Sequence, residues 1–198
     1  MTKKAERTTA YIIETVAPIF NKHGYVGTSM SDLTEATGLT KGAIYGNFEN
    51  KEALALSAFE HNRNILLQAI DNKLEIGIEA LDKLFSLLSF YKQYDVFTLT
   101  LGGCPILNVG VDAHANNKLL AAAVKETIKE IEGKIALVLE NGANKEEIRL
   151  PVPPLQFAKQ LFTMIQGAVA MSTMTQDRKY LFNTTTYLEY LVKQELKK

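Results

Sequence analysis

Cysteine is nearly absent from this chain: Cys104 is the single thiol among 198 residues. A disulfide framework within the chain is therefore excluded, and a reducing compartment suits the composition. Tryptophan is missing altogether. The three histidines, His23, His61 and His114, lie far apart without H-x-x-x-H spacing, so no metal site is expected. Charge of either sign is also not in excess. Twenty-two basic residues balance 22 acidic ones, and the isoelectric point is about 6.8. No global field draws the chain to nucleic acid, so any such binding must come from local basic residues and a dimer's doubled contacts. No apolar run approaches the roughly 18 residues of a membrane span. The opening MTKKAERTT has no apolar signal-peptide core. A cytoplasmic protein with no membrane partner is the expectation.

Catalytic patterns are equally scarce. No Gly-x-Ser-x-Gly elbow occurs, and Leu101-Gly102-Gly103-Cys104 lacks the lysine-serine pair of a phosphate loop and follows no strand. The expectation is no catalytic residue, no cofactor and no enzyme.

What is present is helical pattern. Apolar residues make up 46% of the chain, enough for one good core or two modest ones. The most informative stretch is Ser29–Phe48, SMSDLTEATGLTKGAIYGNF. Ser29 can cap a helix, with Asp32 three residues on in the capping-box position. Met30, Leu33, Thr34 and Thr37 fall at helical spacing, and Gly38 suits a left-handed C-cap. Thr40 then caps a second helix through Ala43, Ile44, Tyr45 and Phe48. Helix, glycine-bearing turn, helix is the layout of a helix-turn-helix. The outward positions of the second helix are Lys41, Gly42, Tyr45, Gly46 and Asn47. A glycine inside a helix costs roughly 1 kcal/mol against alanine, so two there need a reason. Close approach to a nucleic-acid backbone or base edge is one, and fraying of the helix end at Gly46 is another.

The run from Tyr11 to Leu54, above all GYVGTSMSDLTEATGLTKGAIYGNFENKEAL, resembles the DNA-binding domain of the TetR/AcrR family of bacterial transcriptional regulators. The matching features are Phe20…His23-Gly24-Tyr25, Thr28-Ser29, Gly38-Leu39-Thr40-Lys41-Gly42, Tyr45-x-x-Phe48 and Asn50-Lys51-Glu52-x-Leu54. The resemblance implies an all-α fold of about nine helices. A three-helix DNA-binding domain at residues 1–50 would precede a helical effector-binding and dimerisation domain at 51–198. It also implies roles by position. Ser29, Ser31 and Tyr45 would contact phosphate or backbone through hydroxyls. Thr40, Lys41, Gly42 and Ala43 would enter the major groove, with Lys41 donating to guanine and Asn47 and Lys51 gripping phosphates. Phe48, Leu33, Leu39 and Ile44 belong to the core.

The remaining segments follow in order. Lys3–Gly24 is an amphipathic helix carrying Pro18, where a kink is expected, and Lys3, Lys4 and Arg7 can reach a phosphate. A long helix starts near Asn50 and ends before Gly77. Ile78–Tyr94 is strongly apolar, and Pro105 opens a short helix through Val109, followed by a polar loop at Asp112–Asn117. A helix from Lys118 to Asn141 is closed by Gly142. After Pro151-Val152-Pro153-Pro154 come helices 155–174 and 180–196, whose apolar surface exceeds what a monomer leaves open and points to a homodimer.

By family analogy the protein is a ligand-responsive regulator, most simply a repressor. It would bind a near-palindromic double-stranded DNA operator as a homodimer and be released by a small-molecule effector. Phe90, Tyr94, Phe97 and Met164 suit a pocket for a mostly apolar molecule, with Asn108 or Gln166 orienting it. Tyr91, Met171 and Met174 extend the same apolar set. Cys104, just before Pro105, stands where a helix dipole favours a thiolate, so a thiol-reactive electrophile is a second class of effector. Gly102-Gly103-Cys104-Pro105 resembles the loop at the same place in electrophile- and oxidant-sensing members of the family. The competing reading is an all-α bundle whose hairpin engages a protein or ligand rather than DNA.

Overall fold

In the computed structural model the described residues are 3–197, with side chains described from Ala5 onward. The side chains of Lys3 and Lys4, expected near phosphate, lie outside the described residues. Ten α-helices and one 3-10 segment form among the described residues, with no strand. The count exceeds nine because Tyr94–Phe97 winds into a separate short helix, ahead of the 3-10 segment Thr98–Leu101. The chain divides into two compact units that do not follow its order. One comprises residues 1–65 and 98–127, the other 66–97 and 128–198.

The first unit begins with α1 (Lys3–Gly27), continuous through Pro18 and leaving helical geometry only at Gly24 (φ 75°, ψ 175°). The expected break at Gly24 is therefore a kink within α1. Helix α2 (Met30–Thr37) has the expected start and stop. Ser29 and Asp32 form a complete capping box, and Gly38 closes the helix in the left-handed region at φ 66°. Helix α3 (Lys41–Tyr45) is capped by Thr40 and ends at Tyr45, three residues short of Phe48, with Gly46 as its C-cap. Phe48 instead turns inward, its N–H donating to the Ile44 carbonyl. Ile12, Val16, Phe20, Leu33, Ile44, Phe48, Leu54 and Phe59 are buried and fill the core. Truncating one of these, as in Ile44→Ala, costs about 2–5 kcal/mol.

Helix α4 (Lys51–Glu75) contributes its first turns to this unit, and Asn50 Oδ1 caps it by accepting from Ala53 N at 2.8 Å. Helix α7 (Pro105–Asn116) packs along α1. It runs through Asp112–Asn116, where a loop was expected. Asn117 ends it and also starts α8 (Lys118–Asn144), its Oδ1 accepting from Leu120 N at 2.9 Å. A polar run thus serves as a double cap rather than a loop. The link before α7 is keyed into α1. Asn21 Nδ2 donates to the carbonyls of Leu101 and Gly103, at 2.6 and 2.7 Å. Between them Gly102 (φ 76°) sits so close to the Pro18 carbonyl that a side chain has no room.

The second unit holds the rest of α4 and α8, α5 (Ala80–Lys92), α6 (Tyr94–Phe97), α9 (Pro154–Thr175) and α10 (Lys179–Leu196). Helix α10 packs against both α5 and α9 through Leu181, Thr185, Leu188 and Val192. Gly142 does not close α8. It is a buried helical residue whose missing side chain lets Ala80 and Ile148 approach. The helix extends to Asn144, and Lys134 joins it to Asp71 of α4 at 2.7 Å.

Candidate nucleic-acid interface

The exposed face of α2 and α3 follows from where their apolar residues go. Leu33, Thr37 and Ile44 turn inward, which turns Ser31, Thr40, Lys41, Gly42 and Ala43 to solvent. Thr40 Oγ1 accepts from Ala43 N at 3.2 Å, pinning the first turn of α3. Lys41 Nζ rests 5.8 Å from the ring centre of Tyr45, one helical turn on, and Tyr45 is 38% exposed. At Gly42 an added Cβ would meet only Thr40 Oγ1, at 4.0 Å. Nothing inside the fold requires glycine at that place. Gly46 has ordinary helical φ and donates to the Gly42 and Ile44 carbonyls as the C-cap.

Three of the side chains expected at phosphate also bond within the fold. Ser29 Oγ donates to Asp32 Oδ2 at 2.8 Å while accepting from Asp32 N. Bonds from the Ser29 backbone N–H and then its hydroxyl hold the Asp32 carboxyl below its usual value of 3.8. Asn47 Nδ2 donates to the Ala43 carbonyl at 2.9 Å, and its Oδ1 accepts from Thr9 of α1, also at 2.9 Å. Lys51 turns back on the α1–α2 junction. Its Nζ donates to the Tyr25 carbonyl at 2.7 Å and lies 4.6 Å from the Tyr25 ring centre. Partial burial pushes its ammonium below the usual lysine value of 10.5, while Asp112 and Asp32 pull it back up.

One functional partner escaped sequence reasoning. Asp112 of α7 accepts the backbone N–H of Tyr25 through Oδ2, so α7 holds the turn leading into α2. The expected loop at 112–117 hid this, since a loop carboxylate has no fixed direction. Tyr11 was also missed. Its hydroxyl donates to the Thr37 carbonyl at 3.0 Å and ties α1 to the end of α2.

The residues expected around an effector separate into groups. Phe90, Tyr94 and Phe97 come together in the second unit with Tyr91, at ring separations of 4.9–5.9 Å and mostly edge to face. Tyr91 and Tyr94 are fully buried there, and α6 packs on α9, which carries half-buried Gln166. Met164 is elsewhere, in an open groove of about 500 Å³ between α9 and α10 with Phe157, Leu161, Leu188 and Leu191. Met171 and Met174 are exposed on α9. Cys104 and Asn108 belong to the first unit. Asn108 Nδ2 donates to the Asn21 and Gly102 carbonyls at 3.1 and 3.3 Å, and Cys104 Sγ caps α7 by accepting from Leu107 N at 3.5 Å. Among the described residues no group of three or more metal-ligating side chains assembles, and no single helix is long and apolar enough to cross a membrane.

Comparison with known proteins agrees with this geometry. A family model for bacterial regulatory proteins of the tetR family matches residues 12–58, and one for the tetracyclin repressor-like C-terminal domain matches 80–188. The crystal structure of a TetR-family transcriptional regulator from Cytophaga hutchinsonii is 33% identical, with a TM-score of 0.91 over 98% of each chain. A TetR regulator from Chloroflexus aurantiacus is 30% identical, with a TM-score of 0.93 over 99% of each. The transcriptional repressor DhaR of Mycobacterium sp. is 24% identical over 86% of this chain and 85% of its own. A helix-turn-helix with an open face on α3, carried by a C-terminal helical domain of this match, makes the chain a member of the TetR family of transcriptional regulators.

Proposed function

We propose that the protein is a repressor that binds a near-palindromic operator as a homodimer and leaves it when a small molecule occupies the C-terminal domain. The observation that carries the DNA reading is the outward face of α3. Lys41, Gly42 and Ala43 are exposed, and Gly42 has no packing reason to be glycine. A bare Cα there lets the helix sit deep in the major groove with Lys41 against a base edge. Tyr45, Ser31 and Thr40 flank it with hydroxyls for phosphate. Lys51 and Asn47 act one step back, by fixing α3 and the α1–α2 turn through the bonds described above.

The groove between α9 and α10 supports the dimer. Its wall is mostly apolar, with Lys159, Gln160, Thr163 and Glu195 among the lining residues, and beside it Gly167 faces open space, where a symmetry-related helix can approach closely. A two-fold dimer presents two α3 helices, hence the palindrome. For release, the Phe90–Tyr91–Tyr94–Phe97 cluster beside α9 suits a mostly apolar, non-covalent effector. A thiol-reactive effector is disfavoured by Cys104, whose side chain is 3% exposed and caps α7. The repressor sense is supported by the similarity to the transcriptional repressor DhaR.

The test is fluorescence anisotropy with DNA from the region upstream of the protein's own gene, across a salt series. We expect a preference over scrambled DNA of about 10³-fold or more, with a steep fall in affinity as salt rises. Equal binding to scrambled DNA would overturn the reading.

A further inference from the structure

In the first unit a small space lies among α1, α4, α7 and α8. Ala17, Phe20, Asn21, Phe59, Asn62 and Val109 line it. Its volume is about 10 Å³, which is room for one water molecule and no more. Tyr25, Ala55 and Leu120 complete the lining, and the buried side-chain amides in it are those of Asn21 and Asn62. Asn21 and Asn62 are 1% and 2% exposed. Asn21 Nδ2 is committed to the Leu101 and Gly103 carbonyls, and Asn62 Nδ2 donates to the Ala17 carbonyl at 3.1 Å. These bonds fix which end of each amide is nitrogen. They leave Asn21 Oδ1 and Asn62 Oδ1, both fully buried, with no donor from the protein. Ala17 lies one turn before Asn21 on α1, so the two amides converge on the same turn.

We infer that a single ordered water binds here and donates one hydrogen to Asn21 Oδ1 and the other to Asn62 Oδ1. The stoichiometry is what selects water: two buried acceptors call for a ligand with two donors and almost no bulk. A metal ion would need about six oxygens. A buried ammonium would lack a countercharge, because no carboxylate lines the space. An apolar guest would leave both acceptors unmet. The bridged water joins α1 to α4 beside the direct bond from Asn62 Nδ2 to the Ala17 carbonyl, and a bridge of this kind is nearly as good as a direct hydrogen bond.

A crystal structure of the full chain, at a resolution that shows internal water, tests the assignment. We expect a density peak about 2.6–3.2 Å from both amide oxygens. The assignment fails if that space holds no density, or if either amide is turned over. Magnetic relaxation dispersion of isotopically labelled water gives a solution check. Asn62→Leu should have one fewer long-lived internal water than the wild type, and an unchanged count in the folded variant would overturn the inference. Should that variant not fold, the wild-type crystal structure still decides the question.

Discussion

Tyr25 is held from two sides: Asp112 of α7 accepts its backbone N–H, and Lys51 of α4 donates to its carbonyl at 2.7 Å. The turn between α1 and α2 is thereby fixed by charges on two other helices. Gly24, immediately before it, completes the arrangement. Its φ of 75° disfavours any side chain, and an added Cβ would lie 2.8 Å from Asp112 Cγ.

Asp112→Ala should therefore destabilise the fold by about 1–3 kcal/mol, the usual cost of orphaning a donor bonded to a charged group. Gly24→Ala should cost at least about 1 kcal/mol through strain and contact together. Urea denaturation of each variant measures both. An unchanged midpoint for Asp112→Ala would remove α7 from the support of the turn.

Gly42→Ala separates fold from function. With open space at Cβ, the substitution should leave thermal stability unchanged or raise it by up to about 1 kcal/mol. If α3 lies deep in the groove, the same change should lower operator affinity by about tenfold or more, through about 1.4 kcal/mol of lost fit. Tighter or equal operator binding by the more stable variant would contradict the docking geometry.

Lys41 and Lys51 should behave differently. Lys41→Ala is expected to cost about 1–3 kcal/mol on the best operator and to relax sequence preference. Lys51→Ala should weaken all sequences alike and lower the unfolding midpoint as well, because Nζ bonds the Tyr25 carbonyl. Anisotropy titrations alongside melting curves distinguish them. A Lys51→Ala protein with wild-type stability would show that the bond to Tyr25 contributes nothing.

Gly167 and Ala168, adjacent on α9, should give opposite results. Gly167 faces open space, so Gly167→Leu should leave the protomer folded and weaken the dimer in analytical ultracentrifugation. Ala168 is 5% exposed, so Ala168→Leu should overpack the protomer at a cost of about 1–3 kcal/mol. A monomeric wild type at micromolar concentration would refute the dimer itself.

The capping box carries a pH signature. Asp32 is held below its usual 3.8 by Ser29, so its folded-state carboxyl gives up its proton more readily than the unfolded one. Its stabilising contribution is present above pH 3.8 and is lost as pH falls through the lower folded-state value. Melting curves of wild type and Asp32→Asn should therefore differ near neutrality and converge in acid. A difference that persists in acid would mean that Asp32 acts by something other than its charge.

The helix-turn-helix was legible because its signals are local. Ser29, Asp32, Gly38 and Thr40 act on backbone groups within three residues, and the structure shows each in that role. What could not be read depended on distant partners. Gly142 stands at the end of an apolar periodicity, where glycine signals a stop, yet it is glycine because Ala80 presses on it. Asp112–Asn117 has loop composition, yet α7 continues because α1 packs along it and Asn117 caps both neighbours. The bond from Lys51 to the Tyr25 carbonyl was out of reach for the same reason, since that carbonyl lies 26 residues away. Met164 and Phe90 share a chemistry suited to one pocket, but the fold puts one in an open groove and the other in an aromatic core.

The seam at Pro18, Asn21 and Gly102 opposes sliding of α1 along the segment ahead of α7. Backbone meets backbone at Gly102, and Asn21 clamps the carbonyls on either side of it. A seam made of side chains can adjust by changing rotamers, but the Gly102–Pro18 contact has none to change, and Asn21 is the one side chain beside it. A displacement of the segment ahead of α7 therefore presses on the middle of α1, as between meshed gear teeth, or strains both Asn21 amide bonds.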